Sequence, residues 1–360
     1  MASSINASTS GPGGVITTAD NSGILNLQSG GNTVATVNSA GMTTVGTINV
    51  PNTFGFKNRL INAEYLIDQR YSFASVTCAA NAVTYTLDRF YVYSAGSTLA
   101  AIRVANYYGT SYGYQITGNS GNTTAVWGQR IEAANCYDLA GQTVTVSFIA
   151  SSTSITSLNI SCGYPTSGND NWNGGTTNYL SQNVTINSTP TKYSVTFTVP
   201  SAATTGNRVE FNFGALTSGT ATIGSPQLEL GSQATSFDFR SIGTELALCQ
   251  RYYENTYPSG TAVGSSVSQA FIYQQSVSAI NNYIPGSYVY KVTKRAAPTV
   301  TFYNRDGTNG TWLYGLEGQS ETGYTPGNIT SSPHYVGWYS NIGTTSANVH
   351  YGMITASAEL

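Results

Sequence analysis

The chain has 360 residues, of which only 8% are charged, with 14 Lys and Arg against 16 Asp and Glu for a net charge of −2. An average soluble protein carries roughly 25% charged residues, so Ser, Thr, Asn, Gly and 26 Tyr must make up the polar surface here, as they do in extracellular β-rich proteins and large assemblies. No basic stripe offers an electrostatic footprint for nucleic acid, and no apolar run approaches the roughly 18 residues that insert across a membrane as a helix.

The elements follow in chain order. Residues 1–20 are Ser, Thr, Gly and Asn with little to bury, and read as a flexible or attachment arm ordered by a partner. Residues 21–50 contain short strand-like pieces, SGILNLQ, NTVATVN and MTTVGTINV, separated by SGG and SAG turn signals. Each piece is too poor in apolar residues to own a core. The segment must pack on a neighbour or intertwine with other copies as a homotrimeric shaft or collar. From Phe54 onward the pattern becomes longer. NRLINAEYLIDQR reads as a strand, followed by VTYTLDRFYVY, AAIRVANYY, TVTVSFIAS, ITSLNISCGY, KYSVTFTVP, NRVEFNFGAL and ATIGSPQLEL. Val, Thr, Tyr and Phe dominate, and Gly, Asn, Ser and Pro punctuate, which predicts an antiparallel sandwich. A weak helical candidate lies at AVWGQRIEAANCYDLAG, interrupted by Gly128.

Thr244 to Glu254 carries the clearest helical signal. Thr244 is the expected N-cap, and Glu245 suits the first-turn dipole. Leu246, Cys249 and Tyr253 fall on one face and Leu248 and Tyr252 on another, so burial on both sides is expected. The β pattern then resumes in SQAFIYQQ, SYVYKVTK, APTVTFYN, TWLYGLE, HYVGWYS and NVHYGMITASAEL. The resulting organisation is all-β. It comprises an N-terminal arm and short shaft (1–53), an antiparallel sandwich (54–242), a linking helix (243–255) and a smaller C-terminal β domain (256–360).

Chemistry-bearing residues are sparse. Cys78, Cys136, Cys162 and Cys249 are far apart, form no CxxC pair and lie far from His334 and His350, so buried free thiols are expected rather than a zinc site. Both histidines are expected at a surface or interface, and no nucleophile, phosphate-loop or dinucleotide motif is present. Asp88 and Arg89 are adjacent in a strand-like run and cannot readily face each other; an ion pair with another charge, such as Asp68 or Arg70, is expected. Glu229, Asp238 and Glu245 form a loose acidic group in which two carboxylates of a glycosidase would have to be sought, but no coil period of a β-helical enzyme accompanies them. The aromatics beyond residue 300 are the best candidates for binding. Trp312 and Tyr314 alternate on one strand face. Tyr335 and Tyr339 share a face, with Val336 and Trp338 on the other, and Tyr324 lies in the loop ETGYTPGN. Trp172, in Asn-Trp-Asn-Gly, and Trp127 are second-tier candidates. Flat aromatic faces stack on sugar rings; the competing reading places these side chains in a small core or a trimer interface.

Two stretches carry a resemblance. NRLINAEYLIDQR with YTLDRFYV (58–70 and 85–92), and QLELGSQATSFDFRSIGTELALCQRYYE (227–254), resemble bacteriophage tail-fibre and receptor-binding proteins, as do KRAAPTVTFYN and the closing ITASAEL. The resemblance implies a jelly-roll domain similar to carbohydrate-binding modules, carried on a homotrimeric fibre. That fibre would be joined to other tail or baseplate proteins through the N-terminal arm and would attach non-covalently to a host surface polysaccharide or lipopolysaccharide. The N-terminus shows no secretory signal pattern, which fits a virion part released by lysis and a cytosolic protein alike. Related jelly rolls hold calcium beside the first strand. Here Glu64 and Asp68 are followed late in the domain by Ser225, Pro226 and Gln227 before Glu229, a departure from that pattern, so no metal and no cofactor is assigned. A polysaccharide depolymerase tailspike, a purely structural adaptor or collar, and a binding module of a secreted enzyme are the alternatives.

Overall fold

The computed structural model describes residues 3–7, 15–18, 22–39, 41–44, 56–268, 272–275, 283–316, 320–341 and 349–360. The described residues form β-sheets joined by one α-helix and two short 3₁₀ turns. Near the N-terminus, β1 (Ser3–Ala7), β2 (Val15–Thr18), β3 (Leu25–Ser29), β4 (Asn32–Asn38) and β5 (Gly41–Thr44) make a sheet of order β2-β1-β3-β4-β5. Two pieces of the expected flexible arm are therefore strands, because β1 finds backbone partners in both β2 and β3. The rest of the arm, and residues 45–50 of the third expected shaft strand, lie outside the described residues. The sheet is as poor in core as its composition implies: Ala35 is buried while Val34, Val37 and Met42 are exposed.

The body is a jelly-roll sandwich of twelve strands. They are β6 (Val76–Cys78), β7 (Ala82–Leu87), β8 (Phe90–Ala95), β9 (Leu99–Tyr107), β10 (Thr110–Thr117), β11 (Thr124–Ile131), β12 (Thr143–Ser152), β13 (Ser157–Pro165), β14 (Thr176–Thr185), β15 (Thr191–Thr198), β16 (Asn207–Asn212) and β17 (Thr220–Leu230). One sheet has the order β15-β12-β17-β10-β9-β6 and the other β14-β13-β16-β11-β8-β7. Alternation drives the packing. Val144, Val146, Phe148 and Ala150 of β12 face Leu158, Ile160 and Cys162 of β13 and Val209 and Phe211 of β16 within one core. Trp127 anchors that core, stacked on Phe90 at 4.4 Å and edge-on to Tyr65. All four cysteines are buried free thiols. The weak helical candidate resolves into β11 followed by 3₁₀ turns at Ala133–Asn135 and Tyr137–Leu139.

NRLINAEYLIDQR is not a strand. Its backbone groups are met by side chains instead of a ladder, which is what Asn and Asp do best. Asn58 Oδ1 accepts from the amides of Leu60 and Leu228, and its Nδ2 donates to Pro226 O. Asn62, at a positive φ of 61°, brackets Ile67 through both its amide and its carbonyl. Asp68 accepts the amides of Arg70, Tyr71 and Phe73.

Helix α1 spans Ile242–Gln250 behind Ser241, so it starts before Thr244 and ends before Tyr253. Tyr253 instead lies in β18 (Tyr253–Asn255), which pairs with β26 (Val349–Ser357). The helix packs Cys249, with Leu246 and Leu248 half-buried, against Ile61, Ile67, Trp172, Tyr252 and Leu360. The C-terminal domain adds β19 (Ile272–Gln275), β20 (Tyr283–Val289), β21 (Thr299–Tyr303), β22 (Trp312–Leu316), β23 (Ser320–Tyr324), β24 (Gly327–Ser331) and β25 (Tyr335–Asn341). β26 is the hub, pairing with β18, β19, β21 and β22, while β20-β25-β24 form a separate sheet.

The body and C-terminal domain are clamped by charge. Asp88 and Arg89 form the β7–β8 turn, with Arg89 at φ 73°. The expected single strand VTYTLDRFYVY is therefore a hairpin, and the turn, not strand alternation, sends each of the two side chains to a different partner. Asp88 lies 3.8 Å from Arg70, and Arg89 pairs with Glu359 from beyond β26. Arg70 also reaches Glu359 at 3.0 Å, and Arg89 lies over the Tyr252 ring at 3.5 Å. Arg130 and the Tyr85 hydroxyl donate to the Leu360 oxygen.

Removing one member of a buried pair leaves a charge without its counterion. Glu359→Ala is expected to cost about 3–5 kcal/mol, read from urea unfolding, whereas Glu359→Ala in an Arg89→Met background should cost much less. Burial pushes the Asp88 carboxyl up to about 7 against the pull of Arg70 and Gln69. An unfolded Asp titrates near ~3.9, so the native state binds the extra proton between these values. Stability is then expected to fall as pH rises from about 4 to about 7. Asp88→Asn should flatten this slope in Tm measured between pH 5 and pH 8; an unchanged slope would rule out Asp88 as its source.

Candidate functional site

The structure divides the predicted aromatics into two groups. Trp312, Trp338 and Tyr324 are buried with Phe302, Ile354 and Val336 in the C-terminal core, which corrects their assignment as open stacking platforms. Phe302, Trp312 and Trp338 meet edge-on, at 4.8 to 5.6 Å between centroids. Trp312 donates its indole N–H to Met353 O at 3.0 Å. Two glycines make room: a Cβ at Gly352 would meet the Trp312 ring, and one at Gly286 the Trp338 ring, each closer than 3 Å. Tyr314 is half-buried against the same core. Tyr324 ends strand β23 rather than sitting in a loop, and its hydroxyl lies 3.2 Å from His350 Nδ1. His350 is buried within the chain, against an expected surface or interface position, and desolvation lowers its pKa to about 4. His334 is exposed. Trp172 packs in the junction cluster beside α1, with Arg130 and Arg208 over its ring, and Trp127 lies in the jelly-roll core.

Tyr335 and Tyr339 behave differently. They are 44% and 53% exposed, while Val336 and Trp338 between them point into the core, as strand alternation requires. Gly337 lies between them, and the Tyr335 ring edge comes within 3.7 Å of where a Cβ at Gly337 would stand. Four residues of strand put their Cα atoms about 13 Å apart. Their neighbours in register are Val289 opposite Tyr335, Ser287 opposite Gly337 and Pro285 opposite Tyr339, with Thr330 of β24 on the other side of Gly337. Val289 is 72% exposed. The result is a flat apolar and aromatic surface with hydroxyl groups beside its centre. Sequence alternation put this pair on one face; packing of β22, β23 and β25 around Phe302 and Ile354 buried Trp312, Tyr324 and Trp338.

A second open surface lies on the outer face of the jelly roll. One cross-strand row runs Val83, Tyr93, Val126, Asn212, Asn159, Asn183 in register over β7, β8, β11, β16, β13 and β14. Asn159 donates to Asn183 Oδ1 at 2.8 Å and to Ser181 Oγ at 3.1 Å. The three asparagines line a shallow cavity of about 470 Å³ with the Ser154–Ser157 turn and Phe213–Ala215. Sequence reading missed this row because each amide sits on a different strand.

The acidic group flagged for glycosidase chemistry is structural. Glu229 accepts the Thr235 amide and hydroxyl and the Gln227 side chain. Asp238 accepts the Asn58 amide, Glu245 the Asn62 amide, and Arg240 approaches Asp238 at 3.9 Å and Glu245 at 3.3 Å. All three carboxylates are buried. Among the described residues no group of three or more His, Cys, Asp or Glu is arranged to hold a metal ion.

No protein-family profile and no curated protein matches the sequence. Several solved structures align with part of the chain. The enzymatically active domain of tailspike protein 4 of bacteriophage CBA120 aligns at 16% identity and a TM-score of 0.31, over 57% of this chain and 25% of that one. The family 11 carbohydrate-binding module from Clostridium thermocellum, in complex with a β-1,3-1,4-mixed-linked tetrasaccharide, aligns at 12% identity and 0.30, over 42% of this chain and 96% of its own. A CBM4 structure aligns at 17% and 0.28, over 47% and 97%. The chain thus spans a quarter of the tailspike structure. At these scores the functional reading rests on the chain's own side chains.

Burial separates structural aromatics from available ones in a direct test. Trp312→Ala removes a buried ring and strands the Met353 carbonyl, and is expected to cost about 3–5 kcal/mol. Tyr335→Ala should stay within about 0.5 kcal/mol. Comparable losses at the two positions in thermal or urea unfolding would contradict the division.

Proposed function

We propose that this chain is a glycan-binding component of a phage tail, a trimeric fibre protein that attaches the virion to a host surface polysaccharide or lipopolysaccharide. The observation that carries this reading is the exposed Tyr335–Gly337–Tyr339 surface on the C-terminal domain. Sugar rings present flat C–H faces that stack on tyrosine, and their hydroxyls take hydrogen bonds from groups such as Ser287 and Thr330. Two exposed rings spaced along one strand suit an extended chain of sugars rather than a single buried ligand. The asparagine row of the jelly roll supplies a second hydrogen-bonding surface of the same polarity. The N-terminal sheet, with Val34, Val37 and Met42 outward, is the part suited to other copies or other tail proteins. Weak sites repeated on three chains would gain avidity. Binding is non-covalent: the acidic residues at Glu229, Asp238 and Glu245 are occupied as hydrogen-bond acceptors, and no bond-breaking step is assigned.

The test pairs binding with assembly. Tyr335→Ala and Tyr339→Ala are each expected to weaken adsorption to purified host polysaccharide about tenfold, the loss of one aromatic contact, with the oligomer intact by mass photometry. Unchanged adsorption in the double variant would remove the tip surface from the reading. A stable monomer at micromolar concentration would remove the fibre, and release of shortened oligosaccharides would favour the depolymerase.

A further inference from the structure

A cleft of about 360 Å³ lies between the jelly roll and α1, away from both surfaces described above. Asn58, Arg59 and Ile61 form one side, Asn135, Tyr137 and Asp138 of the 3₁₀ turns another, and Arg89, Arg240, Leu248 and Tyr252 the rest. Three guanidiniums therefore line one small volume, against a single carboxylate, Asp138. The other carboxylates that balance them stand behind the wall. Arg89 is held by Glu359 and donates to Arg130 O, and Arg240 by Glu245 with donation to Asn58 O and Leu60 O. Arg59 pairs with Asp138 at 2.5 Å at the more exposed edge and donates to Asn135 O.

These contacts use the terminal nitrogens. The Nε–H of Arg59, of Arg89 and of Arg240 is buried and has no hydrogen-bond acceptor among the described residues, although Arg240 Nε lies 3.9 Å from Asp238. Arg89 is almost wholly buried, so its unmet donor has no ready access to solvent. Buried donors without acceptors are costly; the Nε–H groups of Arg70, Arg130 and Arg208 are unmet as well, so it is the convergence of three such guanidiniums on one cleft that points to an acceptor-rich anion. The other lining groups say what that anion carries. Phe56 and Tyr137 are 62% and 63% exposed, an unusual placement for two rings that border a cleft of ligand size. A flat saturated ring with an apolar face fits them. Exposed Asn135, whose Nδ2 donates to the Tyr252 hydroxyl, offers its amide carbonyl to a sugar hydroxyl.

We propose that this cleft is a separate binding site for an acidic sugar residue, a hexuronate-type unit whose carboxylate faces the arginines and whose ring rests against Tyr137 and Phe56. The site goes beyond the attachment reading and does not depend on Tyr335 or Tyr339.

The test uses the full chain and monosaccharide probes. Saturation-transfer NMR and calorimetry with sodium glucuronate, glucose and sodium acetate separate ring from charge. Glucuronate is expected to bind at least about tenfold more tightly than either, since one charge-assisted contact is worth about that factor, and to weaken with added salt. Tyr137→Ala and Arg59→Gln, both at the exposed edge and so compatible with folding, are each expected to weaken glucuronate about tenfold while leaving Tm in place. Absence of glucuronate binding, equal binding of glucose, equal binding of acetate, or full binding by both variants would overturn the proposal.

Discussion

The structure depends on one buried cluster of opposite charges. Arg89, in the turn between β7 and β8, and Arg70, in the irregular segment before β6, converge on Glu359, which follows the last strand. The residues involved come from positions up to 289 apart in sequence. Ions in a low-dielectric interior carry a desolvation cost of several kcal/mol each, which their attraction offsets only with good geometry and further hydrogen bonds. Here Arg89 also lies over Tyr252 and donates to Arg130 O, and Arg70 lies over Tyr253 at 3.6 Å. A chain with 8% charged residues has placed many of those charges at this one seam.

That concentration explains the surrounding architecture. Helix α1 needs no strong amphipathic face, because the clamp and Tyr252 hold its C-terminal end while Cys249 meets Ile61, Ile67 and Trp172. β26 becomes the hub of the second domain because its downstream residues are pinned to the first. A second buried pair, Lys294 with Glu254 at 2.6 Å, repeats the arrangement one strand away, where burial pulls the lysine below its ordinary range. Surfaces outside the seam are left to uncharged amides, hydroxyls and tyrosines, the groups that exchange hydrogen bonds with sugars as readily as with water.

Much of the fold was legible in the sequence where local pattern and tertiary demand agreed. The alternation of TVTVSFIAS became β12, and HYVGWYS correctly put Tyr335 and Tyr339 opposite Val336 and Trp338. It was not legible where side chains replace backbone ladders. In NRLINAEYLIDQR the apolar spacing suggested a strand, but Asn58, Asn62 and Asp68 satisfied the amides locally and strand pairing had nothing left to join. The helical tendency of AANCYDL has a different outcome: its residues close single backbone turns, with no room for a full helix between β11 and β12.

The sequence by itself determined the all-β class, a short helix between two runs of strands, the free thiols and the scarcity of charge, because these follow from composition and from periods of a few residues. Only the tertiary structure decided which aromatics are available. Trp312 and Tyr335 carry similar local signals, yet one is sealed beneath Gly352 of β26 and the other faces out beside Val289. The convergence of Arg59, Arg89 and Arg240 on one cleft was equally invisible in the chain, since burial and convergence are properties of packing between distant segments and leave no periodic trace in any one of them.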